Sequence, residues 1–306
     1  MPNDKRLLQI NNQLKNQIHL HFLVFIAGFT AILGELITIE AISLVWYRMI
    51  MASVLMFVYI KIRRVNLKIN LKSLIRLSIA GVIIALHWIT FFGAIDASNI
   101  SITLAMFSTG AFFASFIEPL IYKRGIIWYE ILFGGLVVIG VFIITQSEIK
   151  YLTGILLGIV SAFFSSLFAV LNGMFLRQHK ASVISYYEFL SGVFFISVYI
   201  LCFGDGFTKD FFSISPSDFK YLFILASICT AYAFIASVHV MKVISPYTVV
   251  LSYNLEPIYG IAMAIILFPE KERMSPNFYY GAIVIISVVI INAVLKHRRK
   301  SKRDNS

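Results

Sequence analysis

Along the chain, apolar runs of about 20 residues alternate with short polar breaks. At ~1.5 Å per helical residue, each run is long enough to cross a hydrocarbon core of ~30 Å. The pattern predicts ten such helices. The first five are His19–Thr38, Ser43–Ile62, Leu74–Ile95, Ser98–Tyr122 and Trp128–Gln146. The second five are Thr153–Arg177, Ala181–Phe203, Lys220–Val243, Pro246–Phe268 and Pro276–Leu295. Most connections are short, as expected for antiparallel neighbours. The first run follows Lys5, Arg6 and Lys15, as a signal peptide would, but no small-residue cleavage site follows it. It therefore reads as a retained helix.

Composition agrees with a lipid solvent. Of 306 residues, 59% are hydrophobic and 13% charged, and the mean hydropathy is +0.86. A soluble chain of this length needs far more polar surface. The expected fold is an all-α polytopic protein of the plasma (cytoplasmic or inner) membrane. The net charge of +11 does not point to nucleic acid, because its distribution follows membrane sidedness. With the N-terminus inside, 20 of the 26 Lys and Arg fall in inner segments and five in outer loops, and Arg48 lies within a span. The positive-inside rule then places both termini in the cytoplasm. The terminal "KHRRKSKR" is a topology anchor touching anionic lipid. Cys202 and Cys229 lie in separate spans without ligand spacing or a loop partner, so they argue for neither a disulfide framework nor a metal site, and no cofactor is expected.

Five spans precede the "SEIK" loop and five follow it. An odd number per unit makes two tandem copies insert upside down relative to each other, the inverted-repeat plan of many secondary transporters. The resulting division is a cytoplasmic segment 1–18, a first five-helix repeat 19–146, a linker 147–152, a second repeat 153–295 and a basic tail 296–306. At an offset of 140, Tyr47 falls on Tyr187 and Arg48 on Glu188; at 147, Thr109 falls on Glu256 and Gly110 on Pro257. Helix-weakening residues at matched positions of two halves mark a binding site near the midplane. There the loosened backbone faces a cavity instead of lipid.

Several stretches resemble the drug/metabolite transporter superfamily, in particular its ten-helix EamA branch. "FTAILGELITIEAISLVWYRM" is similar to the entry of that family's first two helices and ends near its characteristic arginine, here Arg48. "HWITFFGAIDASNISITLAMFSTGAFFASFIEPLIYKR" resembles helices three and four. "LEPIYGIAMAIILFPEKERMSPNFYYGAIVIISVVI" is similar to helices nine and ten, with Pro257, Pro269-Glu270 and Gly281 in family positions. One departure is that Lys123 and Arg124 stand where the second repeat has Glu270 and Lys271. The resemblance implies alternating-access export or import of a small metabolite without ATP hydrolysis, and export is the expected direction.

A charge deep in a bilayer needs a partner or a cavity. Glu256 is the only acidic or basic residue between Pro246 and Phe268, near the midplane, and His87 is the ionisable residue expected at similar depth. Glu256 is a candidate for substrate or proton binding; the plain alternative is a neutral carboxyl hydrogen-bonded to Tyr253 or Asn254. Arg48 offers a forked cation to a carboxylate or phosphate substrate, or else forms a structural ion pair with Glu35. Glu188 is a candidate gate at the inner mouth, or a carboxylate reaching the basic surface near Arg177 and Lys180. Trp88 and Tyr253 are deep enough to line a pocket, and Tyr47 flanks Arg48. Asn172, His239, Glu118 and Asp96 lie near helix ends, where capping or snorkelling accounts for them.

The candidate transport site is thus Glu256, Tyr253, Asn254, Pro257, His87, Trp88, Thr109, Gly110, Arg48, Tyr47 and Glu188, open to a small-molecule substrate and to protons. No H-E-x-x-H, G-x-S-x-G or Gly-rich phosphate loop is present, which disfavours a membrane enzyme. A channel would show a repeated filter segment. A secondary carrier is the favoured reading, with a channel or non-transporting scaffold as the alternative and a membrane-embedded enzyme as a weaker one.

Overall fold

The computed structural model describes residues 2–123, 125, 127–240, 243–244, 252–253 and 255–304. Among the described residues the chain is helical, without strands. The first half holds α1 (Pro2–Leu36), α2 (Ala41–Ile62), α3 (Leu71–Ala97), α4 (Ile100–Phe107), α5 (Gly110–Tyr122) and α6 (Trp128–Ser147). The second holds α7 (Leu152–Phe175), α8 (Ala181–Phe203), the short α9 (Lys209–Phe212), α10 (Pro216–Ala226), α11 (Ala233–Val240), α12 (Glu256–Leu267) and α13 (Pro276–Asp304). A π-helical stretch, Ser227–Tyr232, joins α10 to α11.

Seven segments are long and apolar enough to span a bilayer: Leu14–Leu36, Ala41–Ile62, Leu71–Ala97, Ile100–Tyr122, Ile149–Phe175, Ala181–Phe203 and Pro216–Ser237. Shorter apolar helices at Ile131–Ser147, Glu256–Leu267 and Pro276–Val288 lie where the fifth, ninth and tenth spans were expected. Two boundaries differ from expectation. The N-terminal segment is continuous with α1, and the basic tail is continuous with α13. Neither junction holds a Gly or Pro to end the helix.

Side-chain caps set several helix starts. Asn70 accepts from the Ser73 backbone N–H at 2.8 Å, and Ser215 accepts from that of Asp218 at 3.0 Å. The two capped turns then reach across to the opposite half. Asp218 accepts from the backbone N–H and hydroxyl of Thr38 at 2.7 and 2.9 Å. Ser73 bonds His179 Nε2 at 2.9 Å. Thr38 precedes α2, and His179 precedes α8. Tyr47 donates to the Phe211 carbonyl at 3.0 Å, and Tyr187, at the same place in α8, donates to the Leu67 carbonyl at 2.8 Å. Thr38 and Leu67 flank opposite ends of α2. Each half therefore holds the other through corresponding residues at opposite ends of the bundle.

The end containing Asp218 has further ties. Glu272 accepts from the Ile100 and Ser101 N–H groups at 3.0 and 2.9 Å, filling the start of α4. Glu148 does the same for Ser275 at 2.9 Å, just before α13. Asn99 donates to the Lys271 carbonyl at 3.2 Å, and the Lys271 ammonium pairs with Glu35. Trp46, Tyr47, Phe207, Phe211 and Phe212 form an aromatic cap beside them. The Glu35 carboxylate raises the pKa of Lys271 above the usual ammonium value. That contact is thus present at neutral pH and is lost as pH rises through the raised value.

Between the halves, α3 packs on both α7 and α8, and α1 packs on α12. These crossings are close because small residues line them. A Cβ on Gly28 would lie 3.0 Å from the Gly260 nitrogen and 3.1 Å from the Glu256 carbonyl oxygen. A Cβ on Gly81 would lie 2.2 Å from the Glu188 carbonyl oxygen, a backbone atom that cannot swing away. Gly81→Ala is expected to destabilise the protein by about 1–3 kcal/mol through overpacking. Unfolding in detergent, followed by heat or denaturant, checks this; an unchanged midpoint would contradict the α3–α8 crossing.

Candidate functional site

The two matched interruptions have the same backbone construction. α4 ends at Phe107, Ser108 and Thr109 form a turn, and α5 begins at Gly110. The Thr109 carbonyl accepts from the N–H groups of both Phe112 and Phe113, at 2.9 and 3.2 Å. The Leu255 carbonyl accepts from those of Ile258 and Tyr259, at 3.1 and 3.3 Å, and α12 begins at Glu256. Thr109 therefore corresponds to Leu255 and Gly110 to Glu256, one residue away from the register read in the sequence. The reason is physical: Pro257 sits in the first turn of α12, where its missing N–H costs no helical bond, and so follows the break.

Arg48 lies between the halves. Its guanidinium carbon stands 3.8 Å above the Trp88 ring centroid and 5.7 Å from that of Phe92, a cation–π contact from the same half. Its Nε donates to Thr230 Oγ1 of the other half at 2.8 Å. Thr230 donates in turn to the Leu225 carbonyl at 2.8 Å, five residues back, a spacing supplied by the π-helical stretch. Arg48 is buried, and its Nη1 finds no hydrogen-bond partner among the described residues. Glu256 is within Coulombic range of the guanidinium. Trp88 rests against Phe189 and Phe234, both from the second half.

This arrangement corrects two expectations. Arg48 does not pair with Glu35, whose carboxylate turns to Lys271 in the loop before α13. Arg48 points inward because Trp88 and Thr230 offer it a ring face and an acceptor. The charged neighbour of Glu256 is Arg48, not His87. Their expected difference in depth is roughly 7 Å, which a long side chain and helix tilt readily cover.

His87 is held against α7. Its Nδ1 lies 2.9 Å from Ser161 Oγ and 3.1 Å from the Ser161 carbonyl oxygen, while Ser161 Oγ donates to the His87 carbonyl at 3.1 Å. With the serine proton committed there, Nδ1 must carry the donor hydrogen. The ring stacks on Phe107, at the end of α4, and contacts Phe168.

The other candidates are dispersed. Thr109 spends its hydroxyl on the Met106 carbonyl at 2.6 Å, and the Gly110 carbonyl accepts from Ser166 at 2.7 Å. Tyr253 bonds Ser237 at 2.7 Å. Tyr47 belongs to the aromatic cap, through its bond to Phe211. Asn254 lies outside the described residues. Glu188 is fully buried: its Oε2 accepts from Asn172 at 3.4 Å, while its Oε1 and the Asn172 Oδ1 have no partner among the described residues. It meets Asn172 rather than the basic surface, since α8 turns it towards α7 and α3.

Thr230, Ser161 and Asn172 were not singled out as site residues by sequence reasoning. Thr230 carried the strongest available signal, as a hydroxyl within an apolar run, but nothing in sequence marks a π-helical turn. Among the described residues, no group of three His, Cys, Asp or Glu is placed to hold a metal.

The sequence model described as "EamA-like transporter family" matches residues 18–146 and 152–294. No curated protein sequence matches the chain. Solved structures do match, 25 chains among them. One, described only as "Crystal structure of protein", shares 12% sequence identity over 92% of this chain and 98% of its own, with a TM-score of 0.64. At that identity the likeness concerns the fold alone.

Two substitutions test the polar contacts. Thr230→Val leaves Arg48 Nε without its acceptor and is expected to cost about 1–3 kcal/mol in unfolding experiments. Glu188→Gln supplies an N–H donor to Asn172 Oδ1 and is expected to preserve or raise the melting temperature, whereas Glu188→Ala lowers it. A Gln variant as unstable as the Ala variant would show that the carboxyl is needed for folding in its own right.

Proposed function

The chain belongs to the EamA-like transporter family, and from that membership as a multi-pass membrane transporter we propose that it is a secondary carrier of a small organic anion. Arg48 carries this reading: it is buried between the halves, and its Nη1 has no partner among the described residues. An unpaired guanidinium edge in apolar surroundings is costly and suits a carboxylate or phosphate, which it grips by two parallel N–H bonds. The Trp88 face and Thr230 fix the direction of the fork.

Glu256 lies in range of the same cation and competes with an anionic substrate for it. When Glu256 takes up a proton, Arg48 is released to the substrate, so anion and proton bind together. Net movement then follows the combined gradients, and a metabolite made in the cytoplasm leaves with its proton. The carrier works by alternating access in the plasma membrane, with both termini cytoplasmic, as the distribution of Lys and Arg supports. On that topology the end tied by Asp218, Glu272 and the aromatic cap is the outer one. The ties at both ends are made in this structure, and one set has to open for one half to rock against the other.

Transport tests the site and the coupling separately. Purified protein in vesicles is screened against labelled carboxylates and phosphates with an imposed pH gradient. Arg48→Lys is expected to lower affinity for the transported anion by roughly tenfold or more, because a point charge does not reproduce the fork. Glu256→Gln is expected to abolish the pH-driven component while exchange of substrate for substrate persists. Full pH-driven uptake by Glu256→Gln rules out the proton role; unchanged affinity in Arg48→Lys rules out the anion site.

A further inference from the structure

At the end of the bundle opposite the Asp218 ties, a groove of about 580 Å³ runs between the start of α3, the end of α5 and the end of α7. Arg76, Lys123 and Arg177 line it, one from each segment, and among the described residues none of its lining is acidic. Its inner wall is apolar, with Leu171, and its flank is Ile79, which is 56% exposed. Ile75 and Leu120 are exposed beside it, so the groove opens sideways along the apolar surface that faces lipid.

The cations are held by local structure. The Arg177 guanidinium carbon lies 5.4 Å from the Tyr122 ring centroid. Tyr122 is fixed by donating to the Val170 carbonyl at 3.1 Å, across Gly173, where a Cβ would come within 2.6 Å of the tyrosine oxygen. Lys123 follows directly in the left-handed region, φ 52°, ending α5 and turning the chain at the groove. Glu118, one turn earlier on α5, is itself engaged in an interaction and does not line the groove.

We propose that this groove binds an anionic phospholipid, with the headgroup phosphate among Arg76, Lys123 and Arg177 and an acyl chain along Ile79 and Leu171. A soluble anion would use the three cations but leave the lateral apolar flank without a role. A zwitterionic lipid would fill the flank but bring its own cation to a cluster of three. The combination of basic pocket and membrane-facing apolar wall selects a lipid with net negative charge. On the topology proposed above, the groove faces the cytoplasmic leaflet. The site lies apart from Arg48, and its test involves no transport, so the two proposals stand or fall separately.

Native mass spectrometry of the full chain in detergent, with equal amounts of phosphatidylglycerol and phosphatidylcholine of the same acyl chains, reads the preference directly. The expected result is retention of one phosphatidylglycerol in clear excess over phosphatidylcholine. Lys123→Gln, at an exposed position, is expected to weaken that retention about fivefold, and Arg76→Gln with Arg177→Gln further still. Should the double variant fail to fold, the Lys123 variant alone decides the matter. Equal retention of the two lipids, or an unchanged preference in Lys123→Gln, overturns the site. Displacement of phosphatidylglycerol by inorganic phosphate at millimolar concentration overturns the lipid assignment in favour of a free anion.

Discussion

Within a bilayer, a polar group left without a partner has no water to fall back on, and the two halves of this chain meet that constraint by supplying one another. Asp218 of the second half takes the Thr38 amide and hydroxyl of the first, and Ser73 of the first takes His179 of the second. Tyr47 and Tyr187 each close on a carbonyl in the other half's connection. A net hydrogen bond contributes about 1 kcal/mol, and one to a carboxylate about 1.5–3 kcal/mol. Such bonds are strong enough to hold two halves in register and weak enough to exchange. The small-residue crossings at Gly28 and Gly81 supply the close contact that keeps those partners within reach.

The correspondence between halves is one of backbone more than of chemistry. Arg48 and Glu188 occupy the same position of α2 and α8, with opposite charge. Their surroundings also differ. Arg48 has a ring face, a hydroxyl and a nearby carboxyl, while Glu188 has a single amide contact. Duplication thus supplied two equivalent frames, and only one became a cation site.

Much of the frame was legible in sequence because it rests on local signals. Run length gives the seven long apolar spans, and Gly110 and Pro257 fall within a residue of the two interruptions. The partners of Arg48 were not legible. Depth counting places Glu35 beside it, since counting treats each helix as a straight rod with its side chains at the level of their own Cα atoms. The actual partner depends on a π-helical turn that rotates Thr230 towards α2, and on a long side chain crossing between levels. Asn172 was dismissed for lying near a helix end, yet α7 and α8 bring it to Glu188 well below the surface.

The LEP stretch, Leu255 to Pro257, shows how local chemistry and long-range placement combine. Proline in the first turn of α12 fixes where the helix starts, and the start fixes where Glu256 stands. The packing of Gly28 against the Glu256 carbonyl and Gly260 then sets that start against α1. Arg48 of α2, held in place by Thr230, lies within Coulombic range of it. Moving the carboxyl by one residue along α12 would turn it by about 100° around the helix, away from the side on which it now stands. The placement of the acid therefore rests on the proline that follows it and on the close crossing of α1.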